Sequence, residues 1–204
     1  MAIAGKVGAV FLQTEDPSVD FTKKATTGNL ERTHYTINDE ACRYIDKTAN
    51  VTVYINNVSF SGVWWIEPLG GVVCFALPLD EEDIVTVSGK SIVVEQAGGF
   101  FNWSVELSAD TADVTTFESG GWKENLPTIK GFSASAECYW SDERLSQRLG
   151  QEVIIALYVD TSPSKKRYEG YAVISSDSIE VAVDDVINES LEFEGTDKLY
   201  YRED

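Results

Sequence analysis

The stretch SIEVAVDDVINESLEFEG, from Ser178 to Gly195, decides the fold. Apolar and polar side chains alternate along it, which is typical of a β-strand with one buried face. The apolar face is formed by Ile179, Val181, Val183, Ile187, Leu191 and Phe193, and the polar face by Glu180, Ala182, Asn188, Ser190, Glu192 and Glu194. The stretch therefore predicts a long β-ribbon with an apolar back and an acidic front, bulged at Asp184-Asp185.

The same alternation appears in two segments that precede this ribbon. Residues 102–109 place Glu106 on a polar side, and residues 129–140 add Ser133, Ser135 and Glu137. Long ribbons of this kind leave backbone N–H and C=O groups unpaired at their edges unless another strand covers them. Pairing between copies around a closed ring removes such edges, so the pattern favours a protein that assembles with itself.

Turn residues divide the rest of the chain at short intervals. Asn56-Asn57 predicts a hairpin between residues 51–55 and 58–66, because asparagine tolerates positive φ. Ser88-Gly89-Lys90 predicts a second turn, and strands spaced at about ten residues indicate a sandwich or barrel. A single short α-helix is predicted from the N-cap Ser141 to Gly150. The fold class is therefore mainly β, a β-sandwich or barrel with long hairpins and one short flanking helix.

The length of 204 residues predicts a single domain over residues 1–204. Within it, residues 1–30 are interpreted as an N-terminal arm and loop. Residues 110–128 are interpreted as a long loop, a feature that usually has a function in a compact domain. No signal peptide and no apolar run of about 18 residues is apparent, so no membrane span is predicted.

Charge and motifs exclude several function classes. Sixteen Lys and Arg against 34 Asp and Glu give a net charge of −18, which argues against reading of DNA or RNA and against docking on anionic membranes. The one histidine, His34, has no G-x-S-x-G motif or metal-binding pattern beside it. The three cysteines, Cys42, Cys74 and Cys138, are predicted to be buried thiols. No enzyme, cofactor or metal site is predicted.

The chain resembles the major tail tube proteins of tailed bacteriophages, best from Asn102 to the end. The residues that carry the resemblance are Trp103–Ala109, Asp113–Thr116, Gly121-Trp122, Gly131–Ser135, Leu145–Gly150, Tyr168–Tyr171, Ile174–Ser176 and Val181–Gly195, with Tyr35–Asp46 in the front half. The resemblance implies hexameric rings that stack into a tube, with the strands of all subunits joined in one inner barrel. It implies an acidic lumen that conducts double-stranded DNA without specific binding.

The resemblance also implies site residues and partners. The lumen-facing candidates are Glu180, Glu192, Glu194, Glu106 and Glu137, and the inter-ring contact candidates are Phe117, Trp122 and Phe11. The implied partners are copies of the chain itself, a tape measure protein, a tail terminator and baseplate or tip proteins. The implied location is the tail of the virion, assembled in the host cytoplasm.

Two other interpretations remain open at the level of sequence. A carbohydrate- or surface-binding β-sandwich, such as an adhesin, predicts a stable monomer in which the five tryptophans include an exposed cluster. Tryptophans of β-sandwiches lie more often in the core, and that is the expectation here. A β-sandwich hydrolase predicts two carboxylates held in a cleft.

Overall fold

The computed structural model describes residues 8–14, 16–141, 143–161, 165–181, 183 and 186–203. Over these residues it confirms the mainly β fold class. The strands are β1 (Ala9–Gln13), β2 (Val19–Gly28), β3 (His34–Ile37), β4 (Thr52–Ile55), β5 (Val58–Phe60), β6 (Trp65–Glu67), β7 (Val72–Cys74), β8 (Val85–Ser91), β9 (Val94–Gln96), β10 (Phe100–Asp113), β11 (Asn125–Tyr139), β12 (Glu152–Tyr158), β13 (Arg167–Glu180), β14 (Asn188–Gly195) and β15 (Tyr200–Arg202).

The chain divides into two compact units. The described residues of Met1–Leu12 and Gln96–Asp204 form the first unit, and Gln13–Glu95 form the second. The second unit is thus inserted in the sequence of the first, between β1 and the long strands that begin at β10.

The first unit is built on a sheet with the strand order β10-β11-β14-β13-β12-β1-β9, and β15 pairs with β13. Its longest pairing is the antiparallel hairpin of β10 and β11, which runs from Phe100↔Cys138 to Asp113↔Asn125 with register shifts after Phe100 and after Ala109. One face of the sheet carries the core, which includes Val10, Phe132, Ile155, Leu191 and Phe193. The apolar back predicted for residues 187–193 is therefore a core face.

Two glycines admit a large side chain into this core. A Cβ on Gly195 would lie 2.3 Å from the ring of Phe132, and one on Gly170 would lie 2.8 Å from the same ring. The ring is only 4% exposed. Glycine at both positions therefore lets Phe132 cross strands β13 and β14 without distorting them.

A buried ionic network holds β15 against β13. Glu169 is 0% exposed and accepts a hydrogen bond from Arg167 Nε at 2.9 Å. Its other carboxylate oxygen accepts a hydrogen bond from Arg202 Nε on β15. Both guanidinium groups are therefore oriented by one buried carboxylate. The packing of β15 against β13 depends on that carboxylate.

The second unit has a sheet with the strand order β5-β4-β8-β2-β3-β7-β6. Its core includes Phe21, Ile37, Ile45, Val73 and Val87. The two end strands, β5 and β6, are separated in sequence by residues 61–64 alone. A linker this short reaches at most about 18 Å, so the sheet must curl until its ends lie near each other.

Several local predictions are confirmed. Asn56 and Asn57 have φ of 50° and 67°, as a hairpin turn between β4 and β5 requires. The three cysteines are free and buried. Residues 102–109 and 129–139 lie in strands β10 and β11.

The turn predicted at Ser88-Gly89-Lys90 is wrong, because β8 runs through it unbroken. Gly89 pairs with Phe21, and a Cβ at this position would lie 3.2 Å from the Phe21 ring. The glycine thus serves close packing inside a strand. Sequence alone does not distinguish that use from a turn.

The flanking α-helix predicted for residues 141–150 is replaced in the described residues by one 3-10 turn, Ser146–Arg148. A second 3-10 turn lies at Glu40–Cys42. A segment of about ten residues is too short to form a stable helix by itself, and Gly150, at φ +78°, ends the turn. The capping prediction therefore located the end of the segment but not its conformation.

The N-terminal arm and the long loop also differ from prediction. Residues 9–13 and 19–28 form β1 and β2, where an arm and a loop were expected for residues 1–30. Strands β10 and β11 extend into the predicted loop 110–128 and leave 114–124 as the connection. Pro127 pairs with Thr111 of β10, in the part of β11 that has no second neighbour, because β11 pairs with β14 only from Ser133 onward. Proline is tolerated at such a sheet edge.

The ribbon predicted from Ser178 to Phe193 folds back on itself. Strand β13 ends at Glu180 and β14 begins at Asn188, and the two pair antiparallel with Glu180↔Asn188 at the hairpin end. The bulge predicted at Asp184-Asp185 lies outside the described residues. Because the hairpin keeps the parity of the alternation, the polar residues of both arms still share one face.

Candidate assembly surfaces

The first candidate surface is the polar face of four neighbouring strands, β10, β11, β14 and β13. In the register, Glu106 lies opposite Ser133, which lies opposite Glu194. Ser135 likewise lies opposite Glu192, and Glu180 opposite Asn188. Paired residues of an antiparallel sheet point to the same side. The five predicted glutamates therefore lie on one surface, called here the polar face.

Polar side chains predominate on the polar face, which also carries Tyr139 opposite Asn188 and Val173 opposite Glu194. Its members are Asn102, Ser104, Glu106 and Ser108 on β10, Ser133, Ser135 and Glu137 on β11, Ser176, Ser178 and Glu180 on β13, and Asn188, Ser190, Glu192 and Glu194 on β14. Asn102 Nδ2 donates to Glu137 Oε2 at 3.1 Å, and the hydroxyls of Ser104 and Ser135 lie 2.9 Å apart. None of these positions is Lys or Arg. The face thus presents carboxylates and hydroxyls without a cation to bind a phosphate.

Glu106, Glu180, Glu192 and Glu194 are exposed, and Glu137 is half-buried beside Asn102. The alternation in the sequence therefore placed all five predicted glutamates on one face of the sheet.

The second candidate surface is the far end of the β10–β11 hairpin. Beyond Ser108 and Gly131 every residue of both strands is exposed on both faces. The connection 114–124 is nevertheless ordered by its own hydrogen bonds, among them Val114 N to Glu124 O at 2.9 Å and Trp122 N to Ser119 O at 3.0 Å. An ordered hairpin end that projects from its sheet is suited to contact another molecule.

The hairpin end carries large apolar side chains in water. Phe117 is 110% exposed and Trp122 is 81% exposed. Leu107, Leu126 and Ile129 are exposed along the same hairpin. Contiguous exposed apolar groups on a folded protein indicate an interaction site. The third inter-ring candidate, Phe11, differs from Phe117 and Trp122, because its ring packs against Tyr158 of the same chain at a centroid distance of 4.6 Å.

Asp113 fixes the base of the hairpin end. Its carboxylate accepts a hydrogen bond from Thr115 N at 3.0 Å and lies 3.6 Å from Lys123 Nζ. Hydrogen bonding from the hydroxyl and N–H of Thr115 lowers the pKa of Asp113 below its usual value. The tip is therefore held by a charged carboxylate.

Sequence reasoning missed a buried carboxylate on the core side of the same sheet. Glu189 is 2% exposed and accepts from Cys138 Sγ at 3.6 Å. Burial, and then the neighbouring Glu189 carboxylate, raise the pKa of Cys138 to about 12. The thiol is thus neutral and unreactive. Glu189 lies between Ile187 and Leu191 in the alternation. That position was the signal that would have placed its side chain on the apolar side.

The tryptophans contradict the expectation that they lie in the core. Trp64, Trp65, Trp122 and Trp140 are exposed, at 69%, 47%, 81% and 37%, and only Trp103 is half-buried.

His34 is exposed on β3, and its Nδ1 lies 2.9 Å from the Thr33 hydroxyl.

The described part of the chain has no metal-binding cluster and no membrane-spanning helix. No cluster of three or more His, Cys, Asp or Glu that could hold a metal ion is found there. No helix among those residues is long and apolar enough to cross a membrane.

With this geometry in place, comparison with known proteins identifies the class. A family model described as phage tail tube protein matches residues 84–201, which is more than half of the 204 residues. The chain therefore belongs to the phage tail tube protein family, as the resemblance, best from Asn102 to the end, indicated. The match contains all four strands of the polar face and the whole projecting hairpin.

Similar solved structures come from gene transfer agent particles. One is the tail of an empty particle, computed with helical refinement in C6 symmetry; it is 21% identical with a TM-score of 0.45, and the match covers 53% of this chain and 85% of that chain. Another is the virion of the native particle, 19% identical with a TM-score of 0.44, covering 53% and 88%. No curated protein matches the chain.

Proposed function

We propose that six copies of this tail tube protein close into a ring, that rings stack into a tube, and that the polar face lines the lumen. The observation that carries the proposal is the register that places Glu106, Glu180, Glu192 and Glu194 on one cation-free face, next to an open sheet edge.

The open edge provides the ring contact. Strand β10 runs from Phe100 to Asp113 and ends the sheet order of the first unit. Such an edge presents a row of backbone donors and acceptors to any strand that can align with it. A neighbouring copy that pairs there continues the sheet, and closure of the ring removes the edge from every copy.

The size of such a barrel suits a channel. In this barrel β10 of one copy pairs with residues 174–180 of β13 in the next, the part of β13 that lies beyond its pairing with β12. Four strands from each of six copies then give a barrel of about 24 strands, and with a spacing of about 4.8 Å and a tilt of about 40° its backbone is roughly 50 Å across. Barrels of about 16 to 18 strands already enclose an aqueous channel. The side chains of the polar face therefore leave a water-filled lumen.

The chemistry of the polar face suits passage of DNA rather than its retention. A duplex carries about one negative charge per 1.7 Å of its axis, and proteins bind it by neutralising phosphates with Lys and Arg. The polar face offers carboxylates and hydroxyls instead. Double-stranded DNA moves along such a wall without a site at which to stop.

The hairpin end provides the stacking contact between rings. Phe117 and Trp122 are buried against the next ring in this proposal, and their exposure in the single chain is the feature that supports it. Phe11 is a weaker candidate because it already packs on Tyr158.

Both compact units act together as one tail tube subunit without catalytic activity. The subunit is assembled in the host cytoplasm into the virion tail, with a tape measure protein inside and terminator and baseplate or tip proteins at the ends.

Negative-stain microscopy of the concentrated protein tests the assembly, and rings or tubes with sixfold end views are expected. The lumen is tested with Glu192→Cys, labelled with a maleimide gold cluster before assembly. Gold is expected along the tube axis, and gold on the outer wall would contradict the lumen assignment. The wild-type protein, whose described cysteines are all buried, is the unlabelled control.

A further inference from the structure

Strand β13 changes its neighbours along its length, and the change leaves one of its sides open. Residues 167–173 pair with β12. Beyond Val173, β14 is the one strand among those the structure describes that still pairs with β13. A register shift between Ile174 and Ser176 lies at this point. Strand β13 is therefore forked, and its second half has an open side at which another strand can pair.

The backbone groups that β13 directs to this open side follow from its hydrogen bonds. Ile174 donates its N–H to Gln151 O at 3.2 Å and accepts from Gly150 N at 2.9 Å, so its backbone groups point away from β14. Hydrogen-bonded and non-hydrogen-bonded pairs alternate along an antiparallel ladder. Counted along β14, the alternation places Asp177 and Ile179 in the same state as Ile174. Both residues therefore direct their N–H and C=O groups to the open side.

Strand β10 has an open side of its own at the end of the sheet order. Tyr139 N donates to Gly99 O at 3.1 Å, beside the first pair of the β10–β11 ladder. Counted along β11 from Tyr139, the same alternation leaves Val105 and Leu107 with their N–H and C=O groups pointing away from β11. These two residues therefore present donors and acceptors at the open side of β10.

The two open sides also match in face. The open-side residues of both strands have their side chains on the face opposite the polar face. A slip of one residue between paired strands would reverse the faces. Because the open-side residues are the ones that hydrogen-bond, pairing of the two edges joins the polar face of one copy to the polar face of the next.

Cyclic symmetry fixes the direction of this pairing. The neighbouring strands β10, β11, β14 and β13 are antiparallel at each step. In a ring all copies point the same way along the axis. A repeat of four alternating strands therefore places β10 of one copy antiparallel to β13 of the next.

Barrel tilt limits the displacement between copies. Within one chain, Trp103 of β10 and Asp177 of β13 lie at the same level of the ladders. Four strands about 4.8 Å apart, at a tilt of about 35–45° and a rise of about 3.3 Å per residue, displace the next copy by about four to six residues, and continuity of the polar face requires an even number. Displacement toward the start of β10 would bring Asp177 to Gly99 or earlier, outside the strand. Asp177 therefore lies opposite Leu107 or Ala109.

Charge distinguishes these two registers. With the larger displacement, Glu180 of β13 lies directly opposite Glu106 of β10, and like charges directly opposite each other destabilise a sheet. With the smaller displacement, Ser178 lies opposite Glu106, and Glu180 lies opposite Ser104. The smaller displacement therefore keeps the carboxylates of the two copies apart.

We infer that β10 of one copy pairs antiparallel with β13 of the next in a single register, with Leu107 opposite Asp177 and Val105 opposite Ile179. This inference rests on the proposed function, which brings the two strands together, and it assigns the residues that meet. Leu107 and Ile179, which are 64% and 49% exposed in the single chain, become diagonal neighbours across the seam between copies. The seam is a ladder of backbone hydrogen bonds with apolar side chains on the face away from the lumen.

The fork of β13 limits the length of the seam. In this register Thr111 of β10 lies opposite Val173, which already pairs with β12. The β10–β11 ladder has a register shift between Ala109 and Thr111, and β13 has its shift between Ile174 and Ser176. Both strands are thus irregular at the level where the seam must end. Such irregularities bend a strand, which allows the two strands to part there.

Cysteine pairs on the polar face test the register. Ser178→Cys is combined with Glu106→Cys and, in two matched controls, with Ser104→Cys or Ser108→Cys. Ser178 and Glu106 are directly opposed in the inferred register, about 4.5 Å apart between Cα atoms, whereas the control positions lie about 8 Å away, beyond the reach of a disulfide. Within one chain β10 and β13 are three strand spacings, or about 14 Å, apart, so every crosslink joins two copies.

All three double variants are assembled under reducing conditions and then oxidised. Oxidation is expected to turn the Ser178→Cys/Glu106→Cys tubes into covalent hexamers on a non-reducing gel and to leave both controls as monomers. The described native cysteines are buried and give little background. Crosslinking of a control pair instead, or of no pair, overturns the register and leaves the proposed function intact, since the tubes still form.

Hydrogen exchange of wild-type tubes provides a measurement that does not depend on the variants. The amides of Val105 and Leu107 are expected to exchange at least about tenfold more slowly in tubes than in the dispersed subunit, because each gains a partner. The amide of Thr111, on the same strand but beyond the seam, is the control and is expected to be unchanged. Unchanged exchange at Val105 and Leu107 in tubes overturns the inference. A protein that forms neither rings nor tubes overturns the proposed function itself, and this inference with it.

Discussion

The two compact units expose opposite kinds of surface. The first unit has long strands, up to the 15 residues of β11, and shows water a regular face of carboxylates and hydroxyls. The second unit has short end strands, three residues each, with exposed aromatic side chains beside them and one charged residue, Glu67 on β6. Both sheets have edge strands with an unpaired side. The two units therefore differ in the side chains that lie near those edge strands.

The comparison teaches how a very acidic chain can still associate with itself. In the first unit the carboxylates are gathered on a face, while the sheet edge at β10 and the apolar hairpin end are proposed to provide the contacts between copies. In the second unit the end strands carry a single charged residue, Glu67 on β6. In the proposed tube, the carboxylates of the polar face point into the lumen and away from the contacts between copies. Each unit also has a hydrophobic core of its own. The stabilities of the two units can therefore be measured and compared.

The largest expected effect concerns the core of the first unit. Glu169→Gln removes the charge that Arg167 and Arg202 share and leaves two guanidinium groups without it in a buried environment. Loss of one partner from a buried ionic network costs about 3–5 kcal/mol. We expect a decrease of that size in the free energy of unfolding, measured by denaturant titration with hydrogen exchange over residues 96–203.

Glu203→Gln is the control, because Glu203 pairs with Lys166 at the surface, at 3.2 Å and with 52% of its side chain exposed. An exposed pair of this kind contributes about 0–1 kcal/mol. Equal losses from both variants would show that the buried network is no more important than the surface pair. Loss of protection over residues 13–95 in Glu169→Gln would show that the two units do not have separate stabilities.

The next effect concerns the core of the second unit. Ile37 is 0% exposed and belongs to the cluster with Phe21 and Val87. Ile37→Ala removes buried methyl groups and leaves a cavity, at a cost of about 2–5 kcal/mol. Hydrogen exchange is expected to accelerate over residues 13–95 and to remain unchanged over the first unit.

Ile84→Ala makes the same chemical change on the surface of the same unit, where Ile84 is 67% exposed. Surface substitutions of this kind change stability by about 0.5 kcal/mol or less. If Ile37→Ala accelerated exchange equally in both units, the two cores would behave as one, and the comparison above would lose its basis.

The sequence predicted the regular parts of this fold and much of its polar face. Period-two alternation located β10, β11 and β14, and it placed Glu192 and Glu194 on the face that they share with Glu106. Alternation is a local property, and a hairpin preserves its parity. The polar face was therefore predictable even though the fold-back between Glu180 and Asn188 was not.

The failed predictions depend on contacts between distant residues. Gly89 was interpreted as a turn residue, but it is required by the Phe21 ring on another strand. The tryptophans of the second unit were expected in a core, but a sheet that curls over a short linker has little interior near its ends, and Trp64 and Trp65 lie there. Neither outcome is encoded within a window of neighbouring residues.

The smallest expected effect concerns the hairpin end. Because the hydroxyl and N–H of Thr115 lower the pKa of Asp113, the stabilisation by its carboxylate is present above the unfolded value of about 3.9. It is lost as the pH falls through the lower, folded pKa. Hydrogen exchange of residues 114–124, corrected for its intrinsic pH dependence, should therefore show constant protection from neutral pH down to about pH 4 and less protection below it.

Asp113→Asn should abolish that pH dependence and raise the exchange of residues 114–124 a few-fold at neutral pH, since the amide is a weaker acceptor than the carboxylate. Asp110→Asn, a carboxylate on the same strand, is the matched control and should leave the hairpin end unchanged. If the hairpin end orders the stacking contact, Asp113→Asn should also shorten the tubes seen by negative stain without changing the rings. Tubes of unchanged length from a loosened hairpin end would show that stacking does not depend on the preformed tip, and Phe117 and Trp122 would then lose their assignment as inter-ring contacts.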